Sequence, residues 1–464
     1  MRGRDAGVCF VCMDKSIRPL VMSCQNQRTD EEEKGEIHMM KHLKAFLVLG
    51  IILSLVIITP VWAVTTIKLY YPVHLTGPLV KEIEAIVKDF QQENPDIRVE
   101  PVWGGNYWQN MQKTMGALQA GNPPDVAVHL AIDVVTLTNL DAVIPLDEFI
   151  EKEGGEEFLA DFFPGFLNDL KTGGKVYAIP SQRSTPILYY NKELFEKAGL
   201  DPTKPPANWQ ELVDIATKLT VRDASGTVTQ WGILIPDDPW LLMSFILQNG
   251  GRTHSEDFKE VYLDEEASIE ALQFWVDMAT KHKIMPIHKS FPESVQDFVA
   301  GKGAMLIHST GNLRFVRDSA NFEWDVAFLP ENKERAVAIG GAGLFIFKDI
   351  PRENQEAAWK FIKFATSAEL QARWSKGSGY IATRKSSFDT PFMKEYTSEV
   401  PQALVARDQL PYARPEMSTY DNQKVREIFR TYFQETLDGK YTPAEGMQKA
   451  AAEMRQVLKP YQDK

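Results

Sequence analysis

Cysteine is nearly absent from this chain: three in 464 residues, Cys9, Cys12 and Cys24, all close to the amino terminus. Beyond Cys24 no thiol is available for a disulfide, a thiolate metal site or a nucleophile, so whatever folds there must rest on its apolar core. Positive charge is also in short supply, with 51 Lys and Arg against 63 Asp and Glu and a formal net charge of −12. A nucleic-acid partner would want a basic face, and this balance argues against one. There is no G-x-x-x-x-G-K-[ST] phosphate loop, no H-E-x-x-H pair and no G-x-S-x-G elbow. The histidines past residue 63 (74, 129, 254, 282, 288 and 308) are scattered. No metal and no cofactor is expected.

What is present begins with a targeting pattern. Lys41 and Lys44 precede an unbroken apolar run from Ala45 to Ile58, followed by Pro60 and Val61-Trp62-Ala63. That order is an n-region, an h-region and a cleavage site. The run is shorter than the ~20 residues a membrane span needs. Residues 39–63 are therefore expected to be a cleaved signal peptide. With no cysteine at the junction, the product is expected free in the periplasm, not lipid-anchored. Residues 1–38 fit no signal peptide. Lys34-Gly35-Glu36 can be encoded as a purine tract just ahead of Met39-Met40, so 1–38 are expected to be a gene-model extension.

From Val64 the chain alternates strand and helix. Thr66–Tyr71 reads as a strand that Pro72 ends. A helix opened by Gly77-Pro78 carries Leu79, Ile83, Ile86, Val87 and Phe90 at helical spacing, and Ile97–Val102 is the next strand. Such a βαβ unit is right-handed. Trp103-Gly104-Gly105-Asn106-Tyr107-Trp108 follows as a loop, then a helix over Gln109–Gln119 and a strand over Asp125–His129. Loops at the carboxyl ends of parallel strands face a ligand crevice. Tyr107 on such a loop could stack on an apolar sugar or glycerol face, whereas Trp103 reads as a surface ring. Lys175–Ile179 is a strand leading to a Ser-Thr-Pro turn.

The segment 180–219 organises the remainder: a turn, a strand at Ile187–Tyr190, a helix capped by Asn191, a proline link and a helix capped by Asn208 with Glu211 three residues on. Trp209 in that helix reads as a packing residue, and Trp240 as either cleft wall or core. Asp297–Gly311 (DFVAGKGAMLIHSTG) delivers Ser309, Thr310 and Gly311 to a strand end. There they serve as an N-cap or offer hydroxyls and free N–H groups to an anion. The glycine cluster 340–343 precedes a strand instead of following one, which is wrong for a nucleotide loop.

LYYNKELFEKAGLDPTKPPANWQEL and F-x-x-G-K-x-A-M resemble the extracellular solute-binding proteins of ABC importers, among them the sugar and glycerol-3-phosphate binders. The resemblance implies an α/β, two-lobed periplasmic-binding-protein fold (type II, maltose-binding-protein-like) with three hinge crossings near 182–187, 326–332 and 378–384. The expected first lobe is 64–184 plus 329–380, and the second 185–328 plus 381–464. The resemblance further implies a ligand held by Tyr107, Ser184, Ser309, Gly341, Tyr380 and Arg426. Where relatives carry a glutamate for glycerol hydroxyls this chain has Ala131, with His129 and Asp133 nearby, which turns the expectation from glycerol 3-phosphate toward a glycerophosphodiester or an oligosaccharide. The implied protein is a monomeric solute carrier, not an enzyme, that closes on its ligand and delivers it to permease transmembrane subunits. A secreted glycoside hydrolase is the rival, but it needs two carboxyls at fixed separation across a cleft. Asp237-Asp238 and Glu265-Glu266 read instead as solvated loop acids. Mass spectrometry of the exported protein should find its first residue near Val64. A peptide from residues 1–38 would overturn the assigned start.

Overall fold

The computed structural model describes residues 64–72 and 78–463. The extension 1–38, the signal segment 39–63 and the Gly77 helix opening lie outside the described residues. Among the described residues no helix is long and apolar enough to cross a membrane.

The first sheet starts with β1 (Thr65–Tyr71), β2 (Ile97–Trp103), β3 (Val126–Leu130) and β4 (Ala178–Ser184). The second holds β5 (Pro186–Asn191), β6 (Val221–Arg222), β7 (Val228–Leu234), β8 (Gly303–Ser309) and β9 (Trp324–Ala327), after which β10 (Gly340–Ile346) returns to the first. The strand orders are β2-β1-β3-β10-β4 and β9-β5-β8-β7-β6. β1 runs parallel to β2 and β3, while β10 is antiparallel to both β3 and β4. In the second sheet β8 is parallel to β7 and antiparallel to β5.

The sequence explains which strands sit centrally. Every residue of β8, GAMLIHS, is buried, as is all of β3, VAVHL, apart from its last residue. Such near-continuous apolar runs suit strands covered on both faces. β1 alternates instead, with Ile67, Leu69 and Tyr71 inward. The helix Pro78–Glu93 turns Leu79, Ile83, Val87 and Phe90 onto the first sheet, where Phe90 meets Phe361 edge to face at 5.3 Å. Leu188, Ile233, Trp275, Ile307 and Phe433 belong to the separate core of the second sheet. Two cores under two sheets make two lobes.

Three crossings join them. The first is not the expected turn: β4 runs extended through Gln182-Arg183-Ser184, and only Thr185 separates it from β5. Pro186 fits as the first residue of a strand, a place that needs no amide donor. Lys175-Val176 pairs only with Lys171-Thr172, so the strand that reaches the crossing begins at Ala178.

The second crossing comes later than expected. Leu329, Val337 and Ala338 belong to the second core, and Ala338 N–H donates to Ser244 Oγ at 3.0 Å. The chain passes over only at Ile339-Gly340, because apolar burial holds the preceding residues to the second lobe. At Gly341, φ is +96° and a side-chain Cβ would lie 1.9 Å from the Gln182 carbonyl oxygen, so glycine is required.

At the third crossing, Gly379 ends the helix Ala368–Ser378 in the left-handed region and Ile381 N–H donates to the Arg183 carbonyl at 3.0 Å. The boundary drawn at 380 falls early here as well. Thr383 Oγ1 donates to the Pro180 carbonyl, and Arg384 and Ser386 bind Asp161 of the first lobe.

Arg183 stands where these crossings meet. Its side chain is fully buried, ion-paired with Asp169, and donates to the Gly341 carbonyl at 3.1 Å. Asp169→Ala is expected to leave that guanidinium unpaired and destabilise the protein by about 3–5 kcal/mol. Equilibrium urea unfolding measures this, and an unchanged midpoint would contradict it.

Candidate functional site

A cavity of about 420 Å³ lies between the lobes, and all six sequence-predicted residues, Tyr107, Ser184, Ser309, Gly341, Tyr380 and Arg426, line it. Its size falls in the range of small-molecule sites.

Tyr107 is not on a loop as expected. It is the first residue of the helix Tyr107–Gln119, where Asn106 caps the Gln109 amide and Gln109 answers to the Asn106 amide. The N-x-x-Q spacing of a capping box was the available signal. The phenol donates to Gln182 Oε1 at 2.9 Å and lies 3.2 Å from Tyr380 Oη. Burial pushes both phenols' pKa up, so they act as neutral hydroxyls. Tyr380 stacks on Trp374 at 6.0 Å.

Ser184 ends β4 and Ser309 ends β8. Ser309 Oγ accepts the Gly311 amide at 3.1 Å, and the Thr310 amide donates to the Thr185 carbonyl at 3.0 Å. The expectation of free N–H groups here is therefore corrected: both amides are consumed in the hinge. Ser309 is an N-cap and also a cavity residue.

The second lobe supplies the charges. Arg426, on the helix Asn422–Leu437, is paired with Glu416, and its other amino group lies 3.7 Å from Asp238. Arg430, one turn on, reaches Asp238 at 3.5 Å. Asp237 accepts from Gln434 at 3.1 Å and lies 3.0 Å from His288 Nδ1, while His288 Nε2 is 2.9 Å from Asp438. These carboxylates raise the His288 pKa against the opposing effect of its burial, the largest single contribution. Asp237 and Asp238 are thus cleft residues, not merely solvated loop acids. Asp238 also caps the helix Pro239–Gln248 through the Trp240 amide at 2.9 Å, and an Asp before a Pro at the first helical position was a readable cap.

The first lobe adds Asp133, at the end of the short turn Ala131–Asp133 that follows β3. It is 4% exposed, and burial raises its carboxyl to about 7 against the pull of Arg426. His129 faces the core instead, between Phe345 and Phe347, and burial lowers it to about 3. Trp240 is both cavity wall and core. Trp209 packs, stacked on Phe274 at 4.2 Å, and Trp103 is half exposed. Glu416 had no local sequence signal. It meets Arg426 only because the loop before the helix folds back.

A family model described as bacterial extracellular solute-binding protein matches residues 85–401. The chain belongs to that family. It is 28% identical to the sn-glycerol-3-phosphate-binding periplasmic protein UgpB of Escherichia coli strain K12 over 419 residues, 86% of this chain and 94% of that protein. The UgpB of Salmonella typhimurium is likewise 28% identical, over 89% of this chain and 97% of its own. Among solved structures, UgpB from Mycobacterium tuberculosis in complex with glycerophosphocholine aligns with a TM-score of 0.76 at 24% identity, covering 86% of this chain and 99% of that one. The maltose/maltodextrin-binding domain MalE from Bdellovibrio bacteriovorus bound to maltotriose aligns at 0.74 and 21% identity, covering 85% and 100%. These likenesses give the fold. Family membership makes the chain the solute-binding component of an ABC importer, working with membrane permease subunits.

Glu416 occupies the guanidinium that an anionic solute would use. Glu416→Gln is expected to tighten inorganic phosphate binding at least about tenfold, or ~1.4 kcal/mol, by isothermal titration calorimetry. Unchanged or weaker binding would show that Glu416 does not compete.

Proposed function

We propose that this protein captures a glycerophosphodiester with a cationic head group outside the cytoplasm and hands it, unaltered, to its permease. The observation that carries the reading is the charge inventory of the cavity: Asp133, Asp237, Asp238 and Glu416 against Arg426 and Arg430. A phosphate monoester carries close to two negative charges at neutral pH and would face a net acidic wall. A diester carries one, suited to the arginine pair, and a cationic head group answers the surplus carboxylates. Tyr107, Ser184, Ser309, Tyr380 and Asp133 supply partners for hydroxyls, with Gly341 giving backbone access and Trp240 and Phe291 apolar surface.

Transport proceeds by hinge closure. A solute touching both lobes favours the closed form, and moving that equilibrium from mostly open to mostly closed takes about 5.5 kcal/mol of differential affinity. A micromolar ligand binds with about 8.2 kcal/mol, enough to supply it. In this reading the protein acts as a periplasmic monomer, released from its signal peptide. Its first lobe is 64–184 with 340–386, its second 185–339 with the remaining residues. Hydrolysis of a glycoside has little to work with. Glu416 and Asp238 are tied to arginines and Asp237 to His288 and Gln434, which leaves Asp133 without a second free carboxyl at fixed distance.

Calorimetry at pH 8 with glycerophosphocholine, sn-glycerol 3-phosphate and maltotriose tests the assignment. Glycerophosphocholine should bind in the micromolar range and glycerol 3-phosphate at least about tenfold more weakly. Tighter binding of the dianion, or of maltotriose, would overturn it.

A further inference from the structure

Among the described residues, Asp133 is the one cleft acid without an ion pair. Its carboxyl is nine-tenths buried or more, on a wall shared with Leu130 and Ile132, and no Lys, Arg or His nitrogen among the described residues lies within 4.0 Å. The cation facing it, Arg426, is already engaged by Glu416 and Asp238 from the opposite lobe. Ala131, two residues earlier, is turned into the core beside Val135 and Phe345 and does not line the cavity. A backbone contact to Leu130 is the one hydrogen bond that the described residues offer this carboxyl, so it keeps acceptor capacity to spare, and a bound solute is where further donors arrive.

We infer that Asp133 is the specificity-determining residue for ligand hydroxyls: it accepts hydrogen bonds from vicinal hydroxyls of the solute, as a carboxylate. The inference rests on the ligand class proposed above. An ionised carboxylate only accepts, so both its oxygens are suited to a diol. Hydroxyl donors favour the charged form and lower its pKa on binding, so capture of a polyol releases a proton. The free carboxyl titrates at about 7. Binding is therefore strongest above that pH and weakens as pH falls through 7, by up to about tenfold per unit. The groups facing Asp133 from the other lobe are Arg426, whose pKa burial lowers, and Glu416, paired to it. His288, beside Asp237 in the other lobe, gains charge as pH falls. For an anionic ligand it would act in the opposite sense, so the two are separable by the sign of the slope.

The test uses the whole exported protein and two diesters that do not titrate between pH 5.5 and 8: glycerophosphocholine, and methyl phosphocholine, which lacks the hydroxyls. Asp133→Asn should weaken glycerophosphocholine at least about tenfold at pH 8 while leaving methyl phosphocholine within about twofold. It should also flatten the pH dependence and abolish proton release, read by titrating in buffers of different ionisation enthalpy. Circular dichroism and thermal melting of the variant exclude misfolding as the cause. Equal loss for both diesters, or a retained pH slope, overturns the inference while leaving the ligand class intact. If wild-type protein takes maltotriose in place of either diester, the head-group reading falls alone, and the same loss and slope are read on maltotriose. Binding of none of these probes, nor of sn-glycerol 3-phosphate, overturns both.

Discussion

The buried pair between Arg183 and Asp169 holds the hinge together, and the site inherits its geometry. Two charges taken out of water are expensive, and here Arg183 Nε and Asp169 Oδ1 are buried without a hydrogen-bond partner among the described residues. Burial pushes the Asp169 carboxyl above its ordinary range even with Arg183 beside it. The arginine's return is geometric. Its guanidinium donates to the Gly341 carbonyl on β10 and lies 5.4 Å from the Phe166 ring, while its own carbonyl accepts from Ile381 on the third crossing. One residue therefore fixes three chain segments at a single point. Its neighbours on β4 are the site: Gln182 receives the Tyr107 phenol and Ser184 lines the cavity.

With the hinge fixed there, the two walls divide the labour of recognition. The first lobe presents neutral hydroxyls and one unpaired acid; the second presents paired charges on a helix and the loops before it. Each set alone is an incomplete site. A solute that satisfies both draws the lobes together, which is the differential affinity closure requires. The loop that carries Glu416 is itself shared. Ser418 Oγ donates to the Ile132 carbonyl at 3.0 Å and the Asn422 amide to Thr136 Oγ1 at 3.2 Å. Arg426 is thereby docked against the turn that bears Asp133.

Much of this was legible because local rules and tertiary packing agree. Asn191 and Asn208 cap as their spacing requires. The strands beneath the two sheets follow from apolar runs. Legibility failed where a rule had a competitor. Ser184-Thr185-Pro186 carries turn residues, yet the two sheets pull it straight. Tyr107 follows Gly104-Gly105, yet Asn106 and Gln109 wind it into a helix. The backbone amides at Ser309-Thr310-Gly311 looked available because their partners, Ser309's own hydroxyl and a carbonyl more than a hundred residues away, are not visible as spacing. The six residues that the resemblance implied all line the cavity, and each sits in a local motif. The resemblance missed Glu416 and Asp238 because their role is long-range pairing, which no window of sequence contains.

The same pairing explains why an empty cleft has reason to stay open. Closing it without a solute takes the half-exposed Arg430 and its partner Asp238 further out of water while giving them no new partner, and desolvating charge without new partners is costly. A neutral sugar would offer hydroxyls to Asp133 but nothing to the surplus acids. A dianion would serve the arginines only by displacing Glu416 and Asp238. A solute that brings hydroxyls, one negative charge and one positive charge leaves no group on either wall worse off for being buried. The charge pattern thus ties closure to cargo, because the form that the permease must recognise is favourable only when every ionised group has been matched.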